Sequence, residues 1–377
     1  MCGIIGQINF KKTKPKLDCF YAANEKQAFR GPDDEGIILD GVLLGHKRLS
    51  ILDLSQHAHQ PMSDAKLGLI IVFNGEIYNF KDVKKKLVKK GYSFHSTGDT
   101  EVVLKAYHAW KEKCLEKFFG MFSIAVWDKQ KQELFLAKDH LGIKPLYYYQ
   151  DKNRFRFASH LPSLLEFNDF NPLLDRTALN YYFSFHAIVP APHTIIKQIK
   201  KLEPGTWAKI NKHGKIKKQK YWEMNFETQK INNYEKCKKL VLSSLDESVQ
   251  RHMESDVPVG VLLSGGLDSS LIVALLSKHS QKNLKTFSIG FEDEKEKGNE
   301  FEYSDLIASE FSTKHKKIFI KNENAIKNLE QCVSHMSEPM VSHDAIGFYL
   351  LSNEVSKHVK VVQSGQGADE VFAGYHW

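Results

Sequence analysis

Met1-Cys2-Gly3-Ile4-Ile5-Gly6 opens the chain, and its reading governs the fold expected for the first half. A small residue at position 2 permits removal of Met1, which leaves Cys2 with a free α-amino group. An α-amine titrates at about 7.7–8.0, close to working pH, so it can act as base for the thiol of its own residue. One residue then supplies both nucleophile and base. Taken alone, a cysteine here is more often a buried thiol of a first strand, so the surrounding pattern has to decide.

Working outward, the first half reads as β-rich. Short apolar runs bounded by Gly, Asp and Asn predict strands over 42–46, 69–74, 122–127 and 134–138. Helix-period patterns over 81–90 and 100–113 predict two inserted helices, and antiparallel sheets covered by helices would account for the whole. Near 212–233 the chain turns polar and a boundary is expected. Beyond it strands alternate with helices: strands over 259–263, 286–291, 315–320 and 360–363, helices over 268–278 and 304–311, and two more helical stretches before the last strand. Strands separated by helices of this length imply a parallel sheet with helices on both faces.

Four further motifs follow in order: Arg30-Gly31-Pro32-Asp33, Gly45-His46-Lys47-Arg48-Leu49-Ser50-Ile51, Asn74-Gly75-Glu76-Ile77-Tyr78-Asn79 and Gly98-Asp99-Thr100-Glu101. With the opening residues they resemble, collinearly, the glutaminase domain of asparagine synthetases, an N-terminal-nucleophile hydrolase. The resemblance implies that Cys2 attacks the glutamine carboxamide. The developing oxyanion must meet preorganised donors, and the matching positions are the Asn74 side-chain amide and the Gly75 N–H. Arg48 suits the α-carboxylate of free glutamine by a bidentate pair, and Glu76 and Asp99 suit its α-ammonium. Each residue alone would be read as a surface ion-pair partner; the constellation carries the functional reading. The stretch from Lys138 to Tyr148 (KDHLGIKPLYY) also matches the family and is read as structural, a turn and strand closing the sheet.

In the second half, Ser264-Gly265-Gly266-Leu267-Asp268-Ser269-Ser270 follows a buried strand and opens a helix. It resembles the pyrophosphate-binding loop of ATP pyrophosphatases and lacks the Gly-Lys-Ser/Thr ending of a Walker loop. Glycines expose backbone N–H groups, serines add hydroxyls and the helix start adds positive potential. A second loop, Ser364-Gly365-Gln366-Gly367-Ala368-Asp369-Glu370, resembles the synthetase loop that meets the adenylate. The resemblance implies ATP and Mg²⁺ as cofactors, with Leu263 and Ile289 against adenosine, Ser264, Gly265, Gly266, Asp268, Ser269, Ser270, Ser364 and Gly365 on the nucleotide, Asp268 holding Mg²⁺ beside the phosphates and Asp369 a second Mg²⁺. The family usually carries an acidic residue where Gln366 stands, at the acyl-adenylate site. Glutamine cannot act as a base, which puts aspartate in doubt as acceptor. Stretches at 185–192, 298–305, 337–344 and 364–377 instead resemble the N-acetylglutaminylglutamine amidotransferase branch, which amidates a dipeptide carboxyl. His343 and Asp344 are candidates to touch the acceptor, or equally a polar helix start.

The resemblance implies a four-layer αββα glutaminase over 1–212, a linker over 213–235, and an incomplete doubly wound α/β ATP pyrophosphatase domain over 236–377. Family members continue past position 377, so the chain is expected to be a fragment; a glutaminase alone or a regulatory remnant is the alternative. Glutamine phosphoribosylpyrophosphate amidotransferase is a rival reading that shares the terminal cysteine, but its phosphoribosyl-binding motif is not found. Composition is that of an ordinary globular protein, 42% hydrophobic and 26% charged, and 377 residues bound two or three domains. No run of about 18 apolar residues predicts a membrane span, and no secretory leader is read. Five scattered cysteines fit a reducing, cytoplasmic setting. A net charge of +8, spread in lysine-rich patches without interleaved aromatics, reads as solvated faces, so nucleic acid and membrane are not expected partners. The expected partners are glutamine and a carboxylate acceptor, with a homodimer entertained.

Overall fold

The computed structural model describes residues 1–11, 15–226, 233–279, 283–291, 301–320, 322–340 and 342–375. Of the stretches quoted above, residues 298–300, 341 and 376–377 lie outside the described residues. The chain divides into two compact units, Met1–Phe226 with Ser337–Pro339, and Glu227–Met336 with Met340–Trp377.

The first unit contains β1 (Gly3–Asn9), β2 (Asp34–Leu39), β3 (Leu43–Arg48), β4 (Met62–Asp64), β5 (Leu69–Ile77), β6 (Gly120–Asp128), β7 (Glu133–Lys138), β8 (Tyr147–Gln150), β9 (Arg154–Ala158), β10 (Ile199–Lys201), β11 (Thr206–Asn211) and β12 (Ile216–Lys220). They form two antiparallel six-stranded sheets, ordered β10-β8-β9-β1-β3-β2 and β12-β11-β7-β6-β5-β4. Period-2 alternation builds three apolar layers from these strands. In β5, Ile70 and Val72 point inward and meet Ile4, Leu44, Ala125, Leu136 and Phe157 between the sheets. Leu69, Ile71, Phe73 and Ile77 point outward against helices α2 (Phe80–Val88) and α3 (Asp99–Trp110). On the far side α1 (Leu17–Glu25) and α4 (Leu161–Leu165) cover Ile5, Leu43 and Ala158. This is the expected four-layer αββα arrangement.

Local details depart from the sequence reading. The first half has further helices besides the two expected: α1, α4 and α5 (Arg176–Ser184). The helix expected over 100–113 ends at Trp110 and continues as a 3₁₀ turn over Lys111–Lys117. The linker expected from 213 begins later. Ile216–Lys220 is an edge strand paired with β11, and its exposed lysines, which made it look like a linker, face solvent.

The second unit contains β13 (Val259–Leu262), β14 (Lys285–Phe291), β15 (Lys314–Ile320) and β16 (Val361–Gln363), all parallel in the order β15-β14-β13-β16. Its helices are α6 (Tyr234–Arg251), α7 (Leu267–Lys278), α8 (Phe301–Glu310), α9 (Asn322–Ser334), α10 (His343–Val355) and α11 (Ala368–Phe372). Helices α6, α7 and α8 cover one face through Val249, Val273, Leu276 and Ala308. On the other, α10 supplies Leu350, Leu351 and Val355 against Phe287 and Ile318. Helices on both faces make the sheet doubly wound. The strand order reverses between β13 and β16, so the loops leaving these two strands face each other, the usual place for a ligand in such sheets.

Candidate active site

In the first unit, antiparallel pairing of β1 with β3 carries Cys2 to the end of the strand that bears Arg48. Leu49 N–H donates to Cys2 Sγ at 3.4 Å, and Arg30 Nε donates to Cys2 O at 3.0 Å. The Arg48 guanidinium is buried. It donates to the carbonyls of Leu52 (3.2 Å), Asp53 (2.5 Å) and Ser55 (3.3 Å), which hold it in one orientation. Asp53 in turn accepts Thr97 N–H at 2.7 Å, tying that loop to the approach to α3.

The remaining groups depend on one feature of β5. Its partner β4 stops at Met62, opposite Ile71, because Pro61 has no N–H to extend a ladder. On the other side, Phe122 turns its own N–H and C=O toward Asp139, so its opposite number Gly75 is a non-hydrogen-bonded position of the β5–β6 pair. By that alternation the N–H groups of Phe73, Gly75 and Ile77 all point to the open side. Two are satisfied by buried side chains: Phe73 N–H donates to Gln60 Oε1 at 2.7 Å and Ile77 N–H to Asp99 Oδ2 at 2.9 Å. Phe73 O accepts from His46 Nε2 at 3.1 Å. Gly75 lies between them, partly exposed while Asn74 and Glu76 on either side are buried. A Cβ at Gly75 would come within 2.3 Å of Met121 O, so only glycine fits. The Asn74 carboxamide is fully buried. Its Nδ2 is 3.5 Å from Ser159 Oγ, which also accepts Ile4 N–H at 3.1 Å on the Cys2 strand, and its Oδ1 has no hydrogen-bond partner among the described residues.

Electrostatics group the same residues. Burial raises the Asp99 carboxyl to about 6 against backbone N–H donors and Arg48, which pull it down. Burial also pushes the Tyr78 phenol up, with Glu76 and Asp99 adding to it. The amino group of Met1 is buried although its side chain is half exposed, and its pKa falls to about 5; Cys2 opposes that fall, Lys144 and Arg30 add to it. Lys144 is buried, which lowers its ammonium; Arg30 adds to that, while Cys2 and Glu76 oppose it. The KDHLGIKPLYY stretch is the turn read from the sequence, leading into β8. Its Asp139 organises the turn by accepting Ile143 N–H (2.8 Å) and Lys144 N–H (3.0 Å), and the turn delivers a buried cation to the surroundings of Cys2. Sequence reasoning assigned no role to Lys144, Gln60, Ser159 or His46; the His46 and Lys144 motifs were in view, but only the topology places their side chains.

In the second unit the loop after β13 is built as its glycines require. Gly265 has φ +90°, and a Cβ there would meet Tyr303 Cβ at 2.4 Å. Ser264 Oγ accepts Gly266 N–H at 3.2 Å and lies 3.1 Å from Ser269 Oγ. Ser270 Oγ is buried without a hydrogen-bond partner among the described residues. The loop after β16 packs directly on this one: a Cβ at Gly365 would come 2.7 Å from Asp268 Cβ. Ser264, Gly265, Gly266, Asp268, Ser269, Ser364 and Gly365 are thus brought together, and Gln366, exposed, donates its N–H to Ser364 Oγ at 3.4 Å. Leu263 is not presented to a ligand by its side chain, which is buried in the α6–α7 core, and its N–H is bonded to Phe287 O. Ile289 packs in the opposite cluster. Asp369 lies in the short helix α11, with its carboxylate over Gly374, where a Cβ would come 1.9 Å from Oδ1. Among the described residues no three or more His, Cys, Asp or Glu side chains form a metal-binding group. The acceptor candidates His343 and Asp344 open α10. No described helix is long and apolar enough to cross a membrane.

The family described as "Glutamine amidotransferase domain" matches residues 1–222, so the first unit is a domain of that class. The family described as "Asparagine synthase" matches residues 240–377. Asparagine synthetase [glutamine-hydrolyzing] 1 of Bacillus subtilis (strain 168) is 38% identical over 381 residues, covering 100% of this chain and 59% of its own length. Putative asparagine synthetase [glutamine-hydrolyzing] 2 of Methanocaldococcus jannaschii is 36% identical over 404 residues, covering 100% of this chain and 76% of its own. The chain belongs to the asparagine synthetase family. It spans well under the full length of its relatives, 59% of the first and 64% of asparagine synthetase 3 of B. subtilis.

Proposed function

We propose that the protein is an ATP- and glutamine-dependent amidotransferase that hydrolyses glutamine at Cys2 and passes the ammonia to an activated carboxylate. The observation that carries the first half is the gap on β5. One backbone N–H, Gly75, points to an open side between two capped neighbours, with the Asn74 carboxamide beside it, on the strand facing Cys2. In this reading Cys2 Sγ adds to the glutamine amide carbon and its proton passes to the α-amine freed by loss of Met1. Gly75 N–H and Asn74 Nδ2 receive the oxyanion. Collapse expels ammonia with the transferred proton and leaves a glutamyl thioester, which water then hydrolyses. Arg48 would bind the α-carboxylate; Asp99 and Glu76 would bind the α-ammonium.

In the second half, the facing loops after β13 and β16 would hold ATP, with the free Ser270 hydroxyl and the loop N–H groups toward its phosphates. Asp268 would hold Mg²⁺ beside the phosphates and Asp369 a second ion, since Mg²⁺ commonly takes one or two carboxylates and completes its shell with phosphate oxygens and water. ATP supplies the activation of the carboxylate by adenylation, and ammonia displaces AMP. Gln366, which cannot serve as a base, favours the C-terminal carboxyl of N-acetylglutaminylglutamine as acceptor. Aspartate is the second reading, favoured by the names of the relatives. Five cysteines, none in a disulfide, support a reducing, cytoplasmic setting.

The deciding experiment measures pyrophosphate release with Mg-ATP and glutamine, comparing the dipeptide with aspartate, in the product of the complete gene. Turnover with the dipeptide alone supports the first acceptor; turnover with aspartate alone replaces it with the second. Cys2→Ala is expected to abolish glutamine-driven turnover and keep ammonia-driven turnover. Loss of both in a folded variant would refute the two-site scheme.

A further inference from the structure

Gln60 has no role in the scheme above, yet its carboxamide joins two parts of it. The side chain is buried, 4% exposed. Its Oε1 accepts Phe73 N–H at 2.7 Å, which turns its Nε2 toward Thr100 Oγ1, 3.3 Å away. Phe73 immediately precedes Asn74 and Gly75; Thr100 immediately follows Asp99 in the first turn of α3. One side chain therefore spans from the strand that carries the oxyanion donors to the helix that carries the ammonium partner. Asp99 Oδ2 on Ile77 N–H makes the second link between the same two elements, on the far side of Gly75. The five residues from Phe73 to Ile77 are thus pinned at both ends while Gly75 N–H stays open.

We infer that Gln60 is a positioning residue of the glutaminase site, holding the Asn74–Gly75 donors in register with the Asp99 helix. The inference rests on the glutaminase reading of Cys2. Its physical basis is that an oxyanion donor works only where the developing charge will be. Removal of one such donor typically costs about 10²–10³-fold in kcat, and a displacement of about 1 Å can cost on the order of 10²-fold. Gln60 touches neither thiol nor substrate in this scheme, so its effect passes through Gly75 and Asn74. His46 Nε2 on Phe73 O survives its removal and keeps β5 in place, so the expected fault is misalignment rather than unfolding.

The test uses the full chain as wild type, Cys2→Ala, Gln60→Met and Thr100→Val. Glutamine hydrolysis gives kcat and KM. The γ-aldehyde analogue of glutamine, whose adduct with the thiol places an oxygen in the oxyanion position, gives a binding constant that reads donor alignment. Gln60→Met is expected to lose roughly 10–100-fold in kcat with KM changed by less than about threefold, and to bind the aldehyde more weakly by the same factor as the kcat loss. Thr100→Val, which cuts only the weaker link, is expected to lose roughly three- to tenfold in kcat, and the double variant to be no worse than Gln60→Met. A Gln60→Met variant that melts earlier but keeps wild-type kcat and aldehyde affinity overturns the inference. Should Gln60→Met not fold, unchanged kcat and aldehyde affinity in Thr100→Val overturn it instead. A wild type without Cys2-dependent hydrolysis defeats the glutaminase reading and this inference with it, whereas an active wild type with an unaffected Gln60→Met defeats the inference alone.

Discussion

Asp99 shows how much a single residue of this site costs the fold. Its carboxyl sits at about 6 in the folded protein against an ordinary 3.8, because burial disfavours the charge more than the surrounding N–H groups and Arg48 favour it. The folded state therefore binds the proton more tightly than the unfolded chain. Stability from this group falls as pH rises from about 4 to about 6 and stays low above, a difference of roughly 3 kcal/mol. Urea unfolding of wild type and Asp99→Asn should show the wild type losing stability relative to the variant across that window. Equal pH slopes would contradict the burial argument. The same titration has a kinetic face: kcat/KM for glutamine should fall as pH drops through about 6, because a neutral Asp99 no longer attracts an ammonium. At Gln366, the reading of the acceptor predicts that Gln366→Glu shifts the ratio of aspartate to dipeptide turnover toward aspartate, measured as pyrophosphate release from the complete gene product.

Among the elements, the facing loops of the second unit have the least tolerance. Gly365→Ala would drive a methyl to within 2.7 Å of Asp268 Cβ, and Gly265→Ala would add a left-handed backbone strain of about 1–3 kcal/mol to a 2.4 Å clash. Both should weaken ATP binding at least tenfold by calorimetry, Gly265→Ala with a clear loss of stability. These loops were legible in the sequence because glycine spacing after a strand has few structural solutions. The αββα unit was legible in outline as antiparallel sheets covered by helices, and its four layers followed from the family resemblance of its motifs. The helix Arg176–Ser184, buried only at Ala178, carries too weak an apolar stripe to be read, and the lysine-studded strand Ile216–Lys220 looks like a linker because one edge of it is solvent. In the site, residues within motifs could be named individually. Gln60 and Ser159 could not be assigned, because their roles arise from contacts across 13 and 85 residues of sequence, which no local pattern encodes.

For the whole molecule, the thiols offer an independent check of how the chain is folded. Burial pushes Cys114 and Cys332 up, while Cys237 is exposed and Cys2 and Cys19 are partly so. Iodoacetamide at neutral pH should label Cys2, Cys19 and Cys237 in the native protein and reach Cys114 and Cys332 only after denaturation, as peptide mass mapping would record. A free strand edge, meanwhile, is ordinarily where a second polypeptide adds its own strand. The open side of β5 offers no such purchase: Gln60 and Asp99 occupy the hydrogen-bonding positions on either side of Gly75, and an incoming backbone could make one bond where a ladder needs several. The opening thus presents one N–H, enough for a single acceptor oxygen and too few for a ladder. On the glutaminase reading, glutamine residues held within proteins, whose flanking backbone would need that edge, should pass this protein undeamidated.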